Sequence, residues 1–164
     1  ACAEVGEWAT VRQLQADMLA AGIAPNNHTY TALLTVMGRN GLFKEASDVY
    51  TEMLAKGMHI NQYCYTALIR GCGLARQPSL ALALYQQART SPECVLDRRI
   101  YQTTIWACAT HQPSAEQVFS NMVSDGMAPD AETYGSLISG CDQDWPRALR
   151  LLAEMRENKL AVGE

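Results

Sequence analysis

The sequence holds six cysteines but no CxxC pair, and no run of eighteen apolar residues. The first absence argues against a metal site or a redox dithiol, and the second against a membrane-spanning helix. An excess of positive charge is missing too. Thirteen Lys and Arg stand against 17 Asp and Glu, a net of −4, which does not advertise a nucleic-acid binder. There is no glycine-rich phosphate loop, no nucleophile elbow or triad signature, and no cluster of carboxylates of the kind a metal-dependent nuclease needs. His59 and His111 have no partner of ligand type at helical spacing and are expected to be exposed. No catalytic residue, metal ligand, cofactor or small-molecule substrate is therefore assigned. The first residues from Ala1 carry no basic and apolar leader, so no targeting segment is expected within them.

What is present is self-similarity. Tyr30 returns at Tyr65, Tyr101 and Tyr134, each followed three or four positions later by Leu or Ile. Ala46 returns at Ala81, Ala115 and Ala148, and the turn GIAPN at Gly22 to Asn26 returns as GMAPD at Gly126 to Asp130. A recurrence every 33 to 36 residues is the mark of a solenoid, in which each unit packs mainly on its neighbours. The expected units are 27–61, 62–97, 98–130 and 131–164, preceded at 1–26 by the closing part of another. That makes about four and a half units, and the chain is expected to belong to a longer array.

Within the unit at 27–61, Tyr30, Leu33, Leu34 and Met37 fall on one helical face, and Phe43, Ala46, Val49, Tyr50 and Met53 on a second. Asn40 and Gly41 should stop the first helix and Gly57 the second. Pro78, Pro113 and Pro146 stand where later second helices begin, the helical position at which a missing N–H costs least. A further helix is expected from about Trp8 to Ala21, with Val11, Leu14 and Met18 inward and Gly22 as its cap. The closing turn SPECVLD at 91–97 departs from the pattern, having no glycine. The units at 98–130 and 131–164 have a Tyr-to-Ala distance two residues shorter, which predicts shorter turns between their helices. The four tyrosines and the methionines at 18, 53, 122 and 155 are expected in the core. Cys72, Cys108 and Cys141, each seven residues after a landmark Tyr, occupy a core slot as reduced thiols, which implies a reducing compartment.

No unit has the Trp, Leu, Gly and Tyr pattern of a tetratricopeptide repeat. The series HTYTALL, YCYTALI and ETYGSLI, followed by EASDVYTEM and by GMHIN or GMAPD turns, instead resembles pentatricopeptide repeats. The likeness is most specific at 27–61 and 131–163. It implies an all-α, right-handed solenoid of helical hairpins that binds single-stranded RNA, an organellar transcript or rRNA, one base per repeat.

In that family the fifth and last residues of a repeat choose the base. By this resemblance Thr31 with Asn61 is similar to an adenine reader and Thr66 with Asp97 to a guanine reader. Gln102 with Asp130 matches no well-understood pair, and Gly135 with Gly163 offers no side chain. Second-position residues flank the base, which assigns stacking to His28, Tyr63 and Arg99, whereas Glu132 cannot stack. Arg39 and Arg70, further along the first helices, are expected to meet phosphate. Residues 27–76 carry five basic and three acidic residues and 98–164 six and nine, so a polyanion should prefer the earlier part.

The resemblance implies a mitochondrial or chloroplast role in RNA stability, processing or translation. Two other functions compete. One is a scaffold for protein partners within an organellar ribosome or polymerase assembly, which the acidic later units favour. The other is the recognition half of an enzyme whose catalytic domain lies elsewhere.

Overall fold

A computed structural model of the chain describes residues 20–142, 144–158 and 160, together with 13 and 16–18. The expected helix over 8–21 falls largely outside the described residues, although 16–18 and 20 are helical. Eight further helices form four antiparallel hairpins. They are α1 (Asn27–Arg39), α2 (Phe43–Ala55), α3 (Gln62–Leu74), α4 (Pro78–Thr90), α5 (Arg98–Ala107), α6 (Gln112–Ser124), α7 (Ala131–Ser139) and α8 (Trp145–Glu157). No strand occurs among the described residues. The fold is an all-α helical-repeat solenoid.

Local chemistry sets these boundaries. The first helix of every hairpin opens on an Asn or Asp whose side chain accepts from the helix's first turn: Asn26 from Thr29 N, Asn61 from Cys64 N, Asp97 from Ile100 N and Asp130 from Thr133 N. Each cap contributes about 1 kcal/mol by satisfying a backbone donor that has no partner within the helix. Three of the second helices carry Pro in their first turn. Gly41 and Gly57, at φ of 68° and 62°, take the left-handed conformation that ends α1 and α2. After α4 the glycine-free turn leaves by a different route, with Ser91 extended at ψ 123°.

One buried apolar cluster runs without a break from Tyr30 to Leu137. Tyr30, Tyr65, Tyr101 and Tyr134 are all buried in the seam between first and second helices, as are Met53, Met122 and Met155. The tyrosine hydroxyls reach the far end of the second helix. Tyr30 Oη donates to Glu52 and accepts from Lys56, Tyr101 Oη donates to Asp125, and Asn158 donates to Tyr134 Oη. Cys64, Cys72, Cys108 and Cys141 are buried free thiols, and burial pushes Cys72 up to about 12 and Cys108 up to about 11.

Successive first helices bring their backbones close along the whole array, whereas among the described second helices only α4 and α6 do so, and the others meet through side chains. A two-row array bends toward its more closely spaced row, so the first helices line the inner wall. Glycine sets that spacing: a Cβ at Gly38 would lie 2.2 Å from the Ala67 carbonyl oxygen, and one at Gly140 2.1 Å from that of Ala109. Backbone meets backbone there.

One expectation is corrected. In the later hairpins the missing residues come from the first helix, which shrinks from 13 residues in α1 and α3 to 10 in α5 and 9 in α7. A three-residue link between antiparallel helices has nothing left to lose, so the helix gives up its last turn. The two histidines are exposed, as expected, and each meets a polar group. His59 Nδ1 lies 2.6 Å from Glu93 Oε1 of the next closing turn, and His111 Nδ1 2.8 Å from Ser114 Oγ. Glu93 comes from a different hairpin, which spacing within one helix could not register, whereas Ser114 stands three residues after His111 in the same first turn.

Candidate functional site

The inner wall carries Thr31, Thr66, Gln102 and Gly135 on successive first helices, each one residue past a buried tyrosine. None of the four is itself buried. The threonine hydroxyls fold back on their own helices, Thr31 Oγ1 donating to Asn27 O at 2.8 Å and Thr66 Oγ1 to Gln62 O at 2.7 Å. Such a bond uses the hydroxyl's hydrogen and leaves its lone pairs to accept. Cys64 links the first predicted pair: its Sγ is 3.4 Å from Thr31 Oγ1 and its N–H donates to Asn61 Oδ1 at 3.1 Å.

Two clefts open along this wall. The first is lined by Thr35 and Arg39 from α1, by Tyr63, Thr66 and Arg70 from α3, and by Arg99 and Thr103 from α5. Five residues singled out in the sequence, Arg39, Tyr63, Thr66, Arg70 and Arg99, thus surround one space. Three guanidinium groups line it and no carboxylate does, so it is the positive part of the wall. The second cleft, one hairpin further on, is lined by Arg70, Asp97, Arg98, Arg99, Gln102 and Glu132. A shallower extension adds Trp106 and Ser136. Arg99 is common to the two clefts, and Arg70 to all three spaces.

Not every predicted residue joins these spaces. His28 is exposed at the start of α1 and lines neither cleft, nor do Thr31 and Asn61, although the helices they belong to or cap supply other residues to the first. Asp97, paired with Thr66 in the sequence, lines the second cleft beside Gln102. Asp130 is engaged by its predicted partner. Gln102 Nε2 donates to both of its oxygens at 2.9 and 2.8 Å, Thr133 donates through its backbone N–H at 3.0 Å, and Arg98 Nη1 lies at 3.3 Å. Burial works against the Asp130 charge, but these hydrogen bonds outweigh it and hold the carboxyl below the usual range. Gly135 is open, with nothing within 4 Å of the place a Cβ would occupy, and Gly163 lies outside the described residues.

Sequence reasoning assigned nothing to Thr103 or Trp106. A signal existed: Thr35, Arg70 and Trp106 each stand four residues after Thr31, Thr66 and Gln102, one helical turn along the same face. Among the described residues no group of three or more His, Cys, Asp or Glu able to hold a metal occurs, and no helix is long and apolar enough to cross a membrane.

The model of the PPR repeat family matches residues 29–73, that of the PPR repeat residues 63–91, and that of the pentatricopeptide repeat domain residues 115–161. The chain belongs to the pentatricopeptide repeat family. No curated protein sequence matches it. The solved structures bear out the pentatricopeptide fold. PPR10 from maize is 24% identical over 93% of this chain with a TM-score of 0.79, and PPR10 in complex with an 18-nt psaJ RNA element is 23% identical over 92% with a TM-score of 0.80. This chain spans about a fifth (22%) of PPR10. The PPR domain of Arabidopsis thaliana protein-only RNase P 1, in complex with tRNA, is 16% identical over 99% of this chain and 88% of its own, with a TM-score of 0.78.

Proposed function

We propose that this chain binds single-stranded RNA along the inner wall of its solenoid, one base per hairpin, and acts by occupancy without catalysing a reaction. The observation that carries the reading is the pair of consecutive clefts sharing Arg99, each with a fifth-position residue, Thr66 or Gln102, in its lining. A base in the first cleft lies between the Tyr63 ring and the Arg99 guanidinium plane, an arrangement that contributes about 1–3 kcal/mol per stacked base whatever its identity. Tyr63 is 56% exposed, a large aromatic surface available to such a partner. The solved relatives support RNA as the partner class, one holding an RNA element and the other tRNA.

Base choice follows from what capping leaves over. Asn61 gives Oδ1 to backbone N–H groups, so its amide nitrogen remains to donate, which suits the ring-nitrogen acceptor on the pairing edge of adenine. Asp97 gives Oδ1 to Ile100 N, and Oδ2 remains to accept from the N–H groups of guanine. These are the preferences the family resemblance assigns to Thr31 with Asn61 and Thr66 with Asp97. The Gln102–Asp130 pair is already joined, so its slot discriminates weakly. The role this supports is shielding or presenting an organellar transcript in a mitochondrion or chloroplast.

The test is binding of short single-stranded RNAs differing at two adjacent bases. The wild type should prefer A followed by G, and Thr66→Asn should move the preference toward A followed by U, a change of roughly 1–3 kcal/mol for one edge contact. Equal weak binding to every RNA, unmoved by the substitution, defeats this reading. It would favour a protein scaffold instead, for which the exposure of Trp145 and Leu149 on α8, 71% and 63%, supplies an apolar surface.

A further inference from the structure

We propose that Trp106 is a positioning residue of the groove: its indole holds Arg70 where the two clefts meet, so that Arg70 contacts the phosphate joining the two nucleotides they take. This deepens the RNA-binding reading and rests on it.

The starting point is the place of Arg70. It lines the first cleft, the second cleft and the shallow extension. A group shared by two neighbouring base slots lies beside what joins neighbouring bases, and in a nucleic acid that is the phosphodiester. Arg70 is exposed and, unlike Arg89, Arg98 and Arg147, forms no ion pair among the described residues. Glu132 lines two of the same spaces without pairing with it.

What orients Arg70 is an aromatic face. Its Cζ lies 5.9 Å from the centroid of the Trp106 ring, within cation–π range. Trp106 is itself packed against α3. A Cβ at Gly73 would fall 2.4 Å from Trp106 Cζ3 and 2.9 Å from Cε3, so the six-membered ring rests directly on the glycine backbone of α3. Yet 38% of the residue stays exposed, on a wall otherwise lined by Thr, Gln, Ser, Arg and Glu132, the last not paired with Arg70. An indole holds a guanidinium without neutralising it, whereas a carboxylate in the same place would cancel the charge an anion needs. The structural requirement that α3 and α5 pack closely is met by any flat apolar group over Gly73, but keeping the cation's charge unneutralised is a property of the aromatic face.

The test reads the salt dependence of binding to a short single-stranded RNA such as an adenine–guanine repeat. Each phosphate contact on a single strand adds about 0.7 to the slope of log affinity against log salt. Arg70→Gln should lower the slope by about that amount, and Trp106→Leu by most of it, with binding roughly 2- to 30-fold weaker. Trp106→Phe, which keeps a ring, should restore the slope, and Arg70→Gln with Trp106→Leu should match Arg70→Gln alone. Trp106→Leu leaving the slope unchanged, or adding independently to Arg70→Gln, overturns the assignment.

A second measurement keeps Trp106 in place and guards against a variant that fails to fold. With Trp8→Phe and Trp145→Phe, Trp106 is the one tryptophan left of three. Saturating RNA should reduce quenching of its fluorescence by acrylamide, and unchanged quenching in a complex seen by anisotropy overturns the proposal. A wild-type chain that binds no RNA removes the underlying reading and this inference together. RNA binding with an intact slope in Trp106→Leu removes this inference alone.

Discussion

The two earlier hairpins, α1–α2 and α3–α4, and the two later ones, α5–α6 and α7–α8, bury the same kind of seam behind different walls. Tyr30 and Tyr101 are each fully buried and each end in a charged network, Glu52 with Lys56 in one and Asp125 with Arg89 in the other. The walls in front of them diverge. The earlier hairpins present threonines with caps that keep an oxygen or an amide to offer, and the later ones present a Gln–Asp pair closed on itself and a bare glycine. The buried tyrosine and the wall residue that follows it point in different directions from the same helix, so the wall varies while the seam is kept. Loss of a whole turn from α5 and α7 leaves the seam intact because it falls beyond the buried tyrosine and its following Leu or Ile.

The comparison is tested most severely where backbones touch. Gly38→Ala drives a Cβ into the Ala67 carbonyl, and Gly140→Ala does the same at Ala109. Each should cost about 1–3 kcal/mol, seen as a lower denaturation midpoint, with equal losses showing that both halves use the same close approach. Gly135→Ala should behave oppositely. It meets nothing within 4 Å and lies inside α7, so the gain in helix propensity should raise stability by up to about 1 kcal/mol. A loss there would mean that the later wall is packed and not open.

Arg147 separates the halves differently, being a guanidinium only 6% exposed in α8. Its Nη2 lies 3.0 Å from Glu116 Oε1, but neither Nη1 nor Nη2 makes a hydrogen bond of good geometry among the described residues. A buried charge so poorly satisfied adds little net stability. Arg147→Met leaves only the exposed Glu116 behind and relieves the desolvation of a buried guanidinium, so the thermal midpoint should hold or rise. A clear fall would show the Glu116 contact to be stronger than its geometry.

Gln102→Ala should release Asp130 to accept from a base and sharpen the third slot toward bases with an N–H edge. The gain should be about 1 kcal/mol of discrimination in the same RNA panel.

The smallest effect expected is on pH dependence. Asp130 is held low against burial by Thr133, Gln102 and Arg98, and Asp125 by hydrogen bonds from Tyr101 and Arg89. A carboxyl lowered by folding contributes stability above its unfolded value, near pH 3.9, and loses it as pH falls through the folded value. Thermal midpoints should therefore drop below about pH 4, and Asp130→Asn should flatten that drop. An unchanged pH profile in the variant would mean the carboxyl is not held low.

Much of this was legible from residues alone. Pro78, Pro113 and Pro146 marked helix starts because proline tolerates only the first turn, and Gly41, Gly57 and Gly126 marked ends because their φ is positive. The Thr31, Thr66, Gln102 and Gly135 register was legible because it repeats. The helix shortening was not, since a two-residue deficit between Tyr101 and Ala115 has the same length whether turn or helix gives it up. Trp106 was passed over because no other unit has a Trp at the corresponding position, and only Gly73 beneath it and Arg70 above it make it part of the wall.

The period of the sequence determined the hairpins, their caps and the buried seam, because those depend on neighbours within a few residues and on a stripe that recurs every unit. Which side chains meet across units was decided only in three dimensions. Arg70 with Trp106 and His59 with Glu93 stand about 35 residues apart in the chain, in different units. Each pairing depends on how closely glycine lets one hairpin approach the next, a distance that no local pattern encodes.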